Sequence, residues 1–152
     1  RNSSARFVII GGTDDEILAR NGWLEEKGVK ESVVFLGKIS PDSLPDYLSA
    51  SDILLSPRIA GVNTPLKLLD YLKSGAAIAA TDTEANRLIL NKEIATLAAP
   101  DALSFANAVC GLIDDADSRK KLGDSGKKLI VEKYNFSEFK NLLSICYNKL
   151  SV

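Results

Sequence analysis

The chain has 152 residues, 45% of them apolar and 26% charged, with a formal net charge of −1. That is the balance of an ordinary globular protein with one core, and it excludes a broad basic footprint for nucleic acid. Histidine is absent, which removes Ser-His-Asp and Cys-His triads, histidine zinc sites and histidine acid–base chemistry.

Short apolar runs predict strands at residues 7–10, 33–36, 53–56, 77–80 and 95–98. Each is too uniformly apolar for a one-sided antiparallel strand, so both faces are expected to be buried. Amphipathic stretches at 14–27, 43–50, 65–74 and 84–91 predict helices between them. This alternation predicts an α/β fold, a Rossmann-like parallel sheet with helices on both faces. Residues 102–114, 118–133 and 137–150 then read as a three-helix C-terminal segment, and the whole span 1–152 as a single domain. Cys110 and Cys146 lie in helix-like apolar contexts and read as buried thiols. Trp23 and Tyr47, on amphipathic helices, read as core. No apolar run approaches the roughly 20 residues of a membrane span, and residues 1–6 lack the apolar stretch of a signal peptide. Methionine is absent as well, so the chain is expected to be a fragment that begins upstream.

Ligands on such sheets bind at the carboxyl ends of the strands. The loop after the third strand carries most of the information. It runs Ser56-Pro57-Arg58-Ile59-Ala60-Gly61-Val62-Asn63-Thr64-Pro65-Leu66-Lys67-Leu68-Leu69-Asp70-Tyr71. Thr64 is a helix-capping type and Pro65 suits a first helical position. The amides of Leu66, Lys67 and Leu68 would then face outward beside the positive end of the helix dipole, a backbone anion site. Lys67 in that first turn opposes the dipole, and Arg58 adds a second cation. A phosphate or diphosphate would resolve the conflict; a lysine pointing into solvent is the alternative. Asp70, three residues on, shares the face of Lys67. It suits the hydroxyls of a ribose, or forms a plain pair with Lys67. Leu68, Leu69 and Leu72 form the opposite, buried stripe.

Weaker candidates follow other strands. Gly11-Gly12 permits close backbone approach or is a plain turn. Gly37-Lys38 can face a base or a phosphate. Thr81-Asp82 reads as solvated loop polarity. A dinucleotide-binding fold is disfavoured, since Gly11-Gly12 leads into Asp14-Asp15-Glu16 where a pyrophosphate would sit. There is no P-loop motif and no nucleophile elbow. A phospho-receiver domain would need an aspartate where Ser56-Pro57 stands.

Two stretches now resemble a known family. They are Val33-Val34-Phe35-Leu36-Gly37 through Ser56-Pro57, and Asn63-Thr64-Pro65-Leu66-Lys67-Leu68-Leu69-Asp70-Tyr71-Leu72-Lys73-Ser74-Gly75 through Thr81-Asp82. Asp117-Ser118-Arg119-Lys120-Lys121-Leu122-Gly123 and Tyr134-Asn135-Phe136-Ser137 add support. Together they are similar to the C-terminal, donor-binding domain of the group 1 glycosyltransferases of GT-B architecture. The resemblance implies a nucleoside-diphosphate sugar as donor, retention of anomeric configuration, no cofactor and no bound metal. It places Thr64, Pro65, Leu66 and Lys67 at the diphosphate, where Arg58 is a candidate by its charge alone. It places Asp70 at the ribose, Gly61 and Asn63 toward the sugar, and Gly37 and Lys38 toward the base; Gly12 is a donor-binding candidate by close backbone approach alone. No catalytic residue is expected within this segment.

The resemblance also implies an N-terminal acceptor domain and an opening strand that are missing here. The segment alone is therefore expected to be inactive, with an unpaired apolar edge that favours a dimer. The full-length enzyme is expected in the cytoplasm, with the inner membrane face as an alternative, acting on a saccharide or lipid-linked acceptor. Two departures stand out: Val62 replaces a family glutamate, and Asp70 is shorter than the usual Glu. A GT-B sugar-nucleotide epimerase half, and a non-catalytic nucleotide-binding or structural domain, are the other functional readings.

Overall fold

The computed structural model describes residues 5–60, 63 and 65–150, the last by its backbone. The chain forms two compact units, residues 1–47 and residues 48–152.

The first unit holds β1 (Phe7–Ile10), α1 (Asp14–Glu26) and β2 (Val33–Gly37). β1 and β2 pair in parallel, Phe7 opposite Val33 and Ile9 opposite Phe35, and the register slips after Ile9. Gly11 and Gly12, at φ of 106° and 88°, turn the chain off β1 through conformations that a side chain would resist. Thr13 then caps α1 in a reciprocal box. Its amide donates to the Glu16 carboxylate at 2.8 Å, and the Glu16 amide donates to the Thr13 hydroxyl at 3.4 Å.

β1 departs from expectation. Phe7, Val8 and Ile9 are 39%, 53% and 44% exposed, so the strand is not buried on both faces. Within this unit α1 is the one long helix available to cover a sheet, and Leu24 is its one buried residue. Among the described residues, β1 pairs with β2 alone. Trp23 and Tyr47 are likewise exposed rather than core. A short helix, α2 (Leu44–Ser49), spans the boundary between the units.

The second unit is built on three parallel strands, β3 (Ile53–Ser56), β4 (Ala77–Thr81) and β5 (Thr96–Ala98), in the order β3-β4-β5. Its helices are α3 (Lys67–Ser74), α4 (Glu84–Arg87), α5 (Ala102–Asp114), α6 (Ala116–Lys133) and α7 (Phe136–Leu150). β4 lies between its neighbours and is buried at every residue. Its side chains alternate between two cores, as a pleated strand requires. Ile78 and Ala80 pack with Leu68 and Leu72 of α3 and with Leu129 and Ile130 of α6. Ala77 and Ala79 pack with Val109 and Leu112 of α5. This gives the expected parallel sheet with helices on both faces. Burying leucines such as Leu68 and Leu72 stabilises the unit by about 1.5–3 kcal/mol each.

α3 and α6 approach closely. Gly75 ends α3 in the left-handed conformation at φ 80°. A Cβ at Gly123 of α6 would collide with the Gly75 carbonyl oxygen, and one at Gly126 would lie 2.8 Å from Leu72 Cδ2.

The cysteine expectation fails: Cys110 and Cys146 are free and exposed. Val109 and Leu112 define the buried face of α5, which turns Cys110 outward. α7 carries Phe136, Phe139, Leu142, Leu143 and Tyr147 as exposed side chains, so it buries little of its apolar face. Among the described residues no helix is long and apolar enough to cross a membrane.

Candidate functional site

The predicted anion seat is at the start of α3, after the carboxyl end of β3. The helix begins at Lys67 rather than at Pro65. Pro65 and Leu66 form a tightened lead-in, where the amides of Leu68 and Leu69 donate to the carbonyls of Pro65 and Leu66 at 3.0 Å each. This corrects the expectation for Leu68, whose N–H is engaged and cannot serve an anion. Among the described residues, the amides of Leu66 and Lys67 donate to no backbone carbonyl. The residue at the cap position, Leu66, has no side-chain cap bond. Gly61 and Thr64, expected at the sugar and at the cap, lie outside the described residues.

The two cations are where the sequence placed them. Arg58 stands two residues past β3, and Lys67 opens α3. Burial, and then the positive charge of Arg58, hold the Lys67 ammonium below the usual lysine range. The Lys67 Nζ lies 5.4 Å from the centre of the Tyr71 ring, one turn along the helix. Burial also pushes the Tyr71 hydroxyl up. Among the described residues, neither cation forms an ion pair. In particular Asp70, exposed on the same helix, does not pair with Lys67. The plain helix-pair alternative is therefore absent, and Asp70 keeps its acceptor oxygens. The buried stripe is as expected for Leu68 and Leu72, which anchors the helix and leaves the face of Lys67 and Asp70 outward.

Arg58 does more than offer charge. Its Nε donates to the Ala60 carbonyl at 2.6 Å and its Nη1 to that of Asn63 at 3.3 Å. Asn63 thus contributes a backbone oxygen to its own loop. Thr81 overturns the reading of a solvated loop. It is 2% exposed, and its hydroxyl donates to the Arg58 carbonyl. A β-branched residue closing an alanine-rich buried strand was the available sequence signal. Asp82 does fit solvated polarity, pairing with Arg87 at 2.8 Å on the surface.

The remaining candidates, Gly12, Gly37 and Lys38, belong to the first unit. Gly12 precedes the Thr13 cap, and Gly37 accepts at its carbonyl from the Gly11 amide at 2.6 Å. Lys38 is exposed just beyond β2. In the second unit an open groove of about 870 Å³ runs along β5, α5 and α6. Thr96, Asn107 and Lys121 line it, and it shares no residue with the seat at α3.

A sequence model described as "Glycosyl transferases group 1" matches residues 1–115. The chain belongs to the group 1 glycosyltransferases. It is 25% identical over 134 residues to a phosphatidyl-myo-inositol mannosyltransferase of Mycobacterium leprae, covering 87% of this chain and 34% of that protein. The solved sucrose-phosphate synthase of Thermosynechococcus elongatus superposes with a TM-score of 0.80 at 22% identity. It covers 94% of this chain and 38% of its own. The Anabaena protein HepE, solved with UDP, gives 0.81 at 15% identity, over 99% of this chain and 42% of its own. These likenesses in structure establish the shared fold. The chain spans about a third of the curated relative's length.

Proposed function

We propose that this chain is the donor-binding half of a two-domain glycosyltransferase, and that its seat at α3 receives the diphosphate of a nucleoside-diphosphate sugar. The observation that carries the reading is the meeting of Arg58 and Lys67 at one helix start, neither paired with a carboxylate among the described residues. A cation at the positive end of a helix is unfavourable unless an anion joins it. Asp70, a turn further along, accepts from the ribose hydroxyls. Thr64 is assigned to the diphosphate, and Gly61 and Asn63 to the sugar. The solved relative bound to UDP makes that nucleotide the first probe.

In this reading the cations stabilise charge as it builds on the departing nucleoside diphosphate. They take the place of a metal, so chelation leaves nucleotide binding unchanged. Transfer proceeds with retention, in the cytoplasm or at its membrane face, to a saccharide or lipid-linked acceptor held by an N-terminal domain. The segment alone carries no turnover.

Isothermal titration with UDP, GDP and ADP tests the proposal. One nucleotide should bind in preference. Lys67→Ala should weaken it about 10- to 100-fold, the worth of a charge-assisted hydrogen bond, and Asp70→Ala about three- to tenfold. Absence of binding by all three nucleotides would overturn the assignment.

A further inference from the structure

Beneath the Arg58 loop lies a buried polar relay with no assigned role. Ser56, Thr81 and Asn86 are 0%, 2% and 0% exposed at the carboxyl ends of β3 and β4 and on α4. Thr81 closes a strand that is buried at every residue, and an unsatisfied polar group so buried is costly. Asn86 Nδ2 donates to the Thr81 carbonyl at 2.8 Å and to the Thr81 hydroxyl at 3.3 Å. A carbonyl only accepts, so the amide orientation is fixed. With its acceptor side occupied, the hydroxyl turns its single proton toward the carbonyls of Arg58 and of Ser56, the latter at 3.4 Å.

The Arg58 side chain then returns over the loop to hold Ala60 and Asn63 by their carbonyls. Thr81 thus holds the Arg58 backbone, and the Arg58 side chain holds Ala60 and Asn63. Among the described residues, Ser56 Oγ and Asn86 Oδ1 have no partner. A relay that served the core alone would be met as well by Val at 81 and Leu at 86, of similar shape and without unsatisfied oxygens.

We propose that Thr81 and Asn86 are positioning residues: they fix the backbone of Arg58, and so set where its guanidinium stands at the anion seat. Lys67 feels the charge of Arg58, so a displaced Arg58 changes the seat as a whole. The role as part of a nucleotide site rests on the function proposed above; the placement of Arg58 does not.

The test compares the full chain with Thr81→Val and Thr81→Ser, using Val109→Ala in the opposite core as a variant destabilised elsewhere. Nitrogen-15 spectra follow the Arg58 Nε–H, and calorimetry gives the UDP affinity. In the wild type and in Thr81→Ser the Nε–H should be protected from exchange. In Thr81→Val it should exchange about tenfold faster, and UDP should bind about tenfold more weakly. Val109→Ala should change neither. An unmoved Arg58 signal in Thr81→Val, or an equal change in Val109→Ala, overturns the proposal. If UDP, GDP and ADP all fail to bind even the wild type while the signal still depends on the hydroxyl, the nucleotide reading falls and the positioning role stands. If UDP binds wild type and Thr81→Val alike, the positioning role falls alone. Should Thr81→Val not fold, Asn86→Leu removes the donor to the hydroxyl and is read in the same two ways.

Discussion

Two helix starts in this molecule face the same electrostatic problem and solve it in opposite ways. α1 opens with Asp14, Asp15 and Glu16 and folds the Glu16 carboxylate back onto the Thr13 amide. Its positive end is filled from its own sequence. α3 opens with Lys67, has Arg58 nearby, and carries no side-chain cap bond on Leu66. The other long helices resemble α1. Asp101, Asp115 and Asn135 accept from backbone amides at 2.8 Å at the starts of α5, α6 and α7. A helix start becomes available to an outside anion when the local sequence declines to supply one. The distinction lies in residue identity and in the cap backbone, which is extended at Thr13 and already helical at Leu66.

Making α3 resemble α1 is the most direct way to break the comparison. Lys67→Glu should lower UDP affinity by at least about 100-fold, since an attractive charge is replaced by a repulsive one. Calorimetric binding comparable to wild type would remove Lys67 from the seat. A smaller effect is expected at α1. Thr13→Ala should destabilise the fold by about 1 kcal/mol in urea titration and leave UDP affinity unchanged. A parallel loss of affinity would mean that the first unit's helix start also serves the ligand.

The smallest expected effect is in pH, and it has opposite signs at the two starts. Glu16 is held below the usual carboxylate range by its hydrogen bonds to the Thr13 amide and hydroxyl. Its contribution is complete above the ordinary glutamate range and is lost as acid carries the solution through the lowered value. Lys67 is also lowered, but it is a base. Its penalty is present at neutral pH and is relieved as pH rises from the lowered value toward the usual lysine range. Amide exchange at the two helix starts should show α1 loosening in acid and α3 tightening in alkali. An α3 start that loosens through that alkaline window would contradict the lowered Lys67 value. Bound UDP should raise the Lys67 value, so nucleotide affinity should fall across the same window.

Much of the second unit was legible because its pattern is unambiguous. The run Ala77-Ile78-Ala79-Ala80 is buried on both faces, as a central parallel strand should be. Leu68 and Leu72 point α3 as the spacing required. The seat was legible as a pair of cations, yet its first turn was not. A proline carbonyl that accepts from the amide three residues on shifts a helix start without changing any residue type. The role of Thr81 was hidden because its partner, Arg58, is 23 residues away in sequence. The exposure of β1 was hidden for a related reason, since apolar character shows that a strand seeks cover and not what covers it. Cys110 was misjudged because one step beside Val109 on α5 is enough to face outward.

The glycine contact between α3 and α6 has a consequence for where the proposed seat ends in sequence. α3 is eight residues long, a rod of about 12 Å, gripped at its tail where Gly75 meets Gly123. The grip belongs to α6, which begins at Ala116, just past the stretch that the family pattern matches. The aim of Lys67 is therefore governed in part by a helix outside that stretch. A shorter piece cut at residue 115 would keep every side chain proposed for the seat and lose the vice that points them.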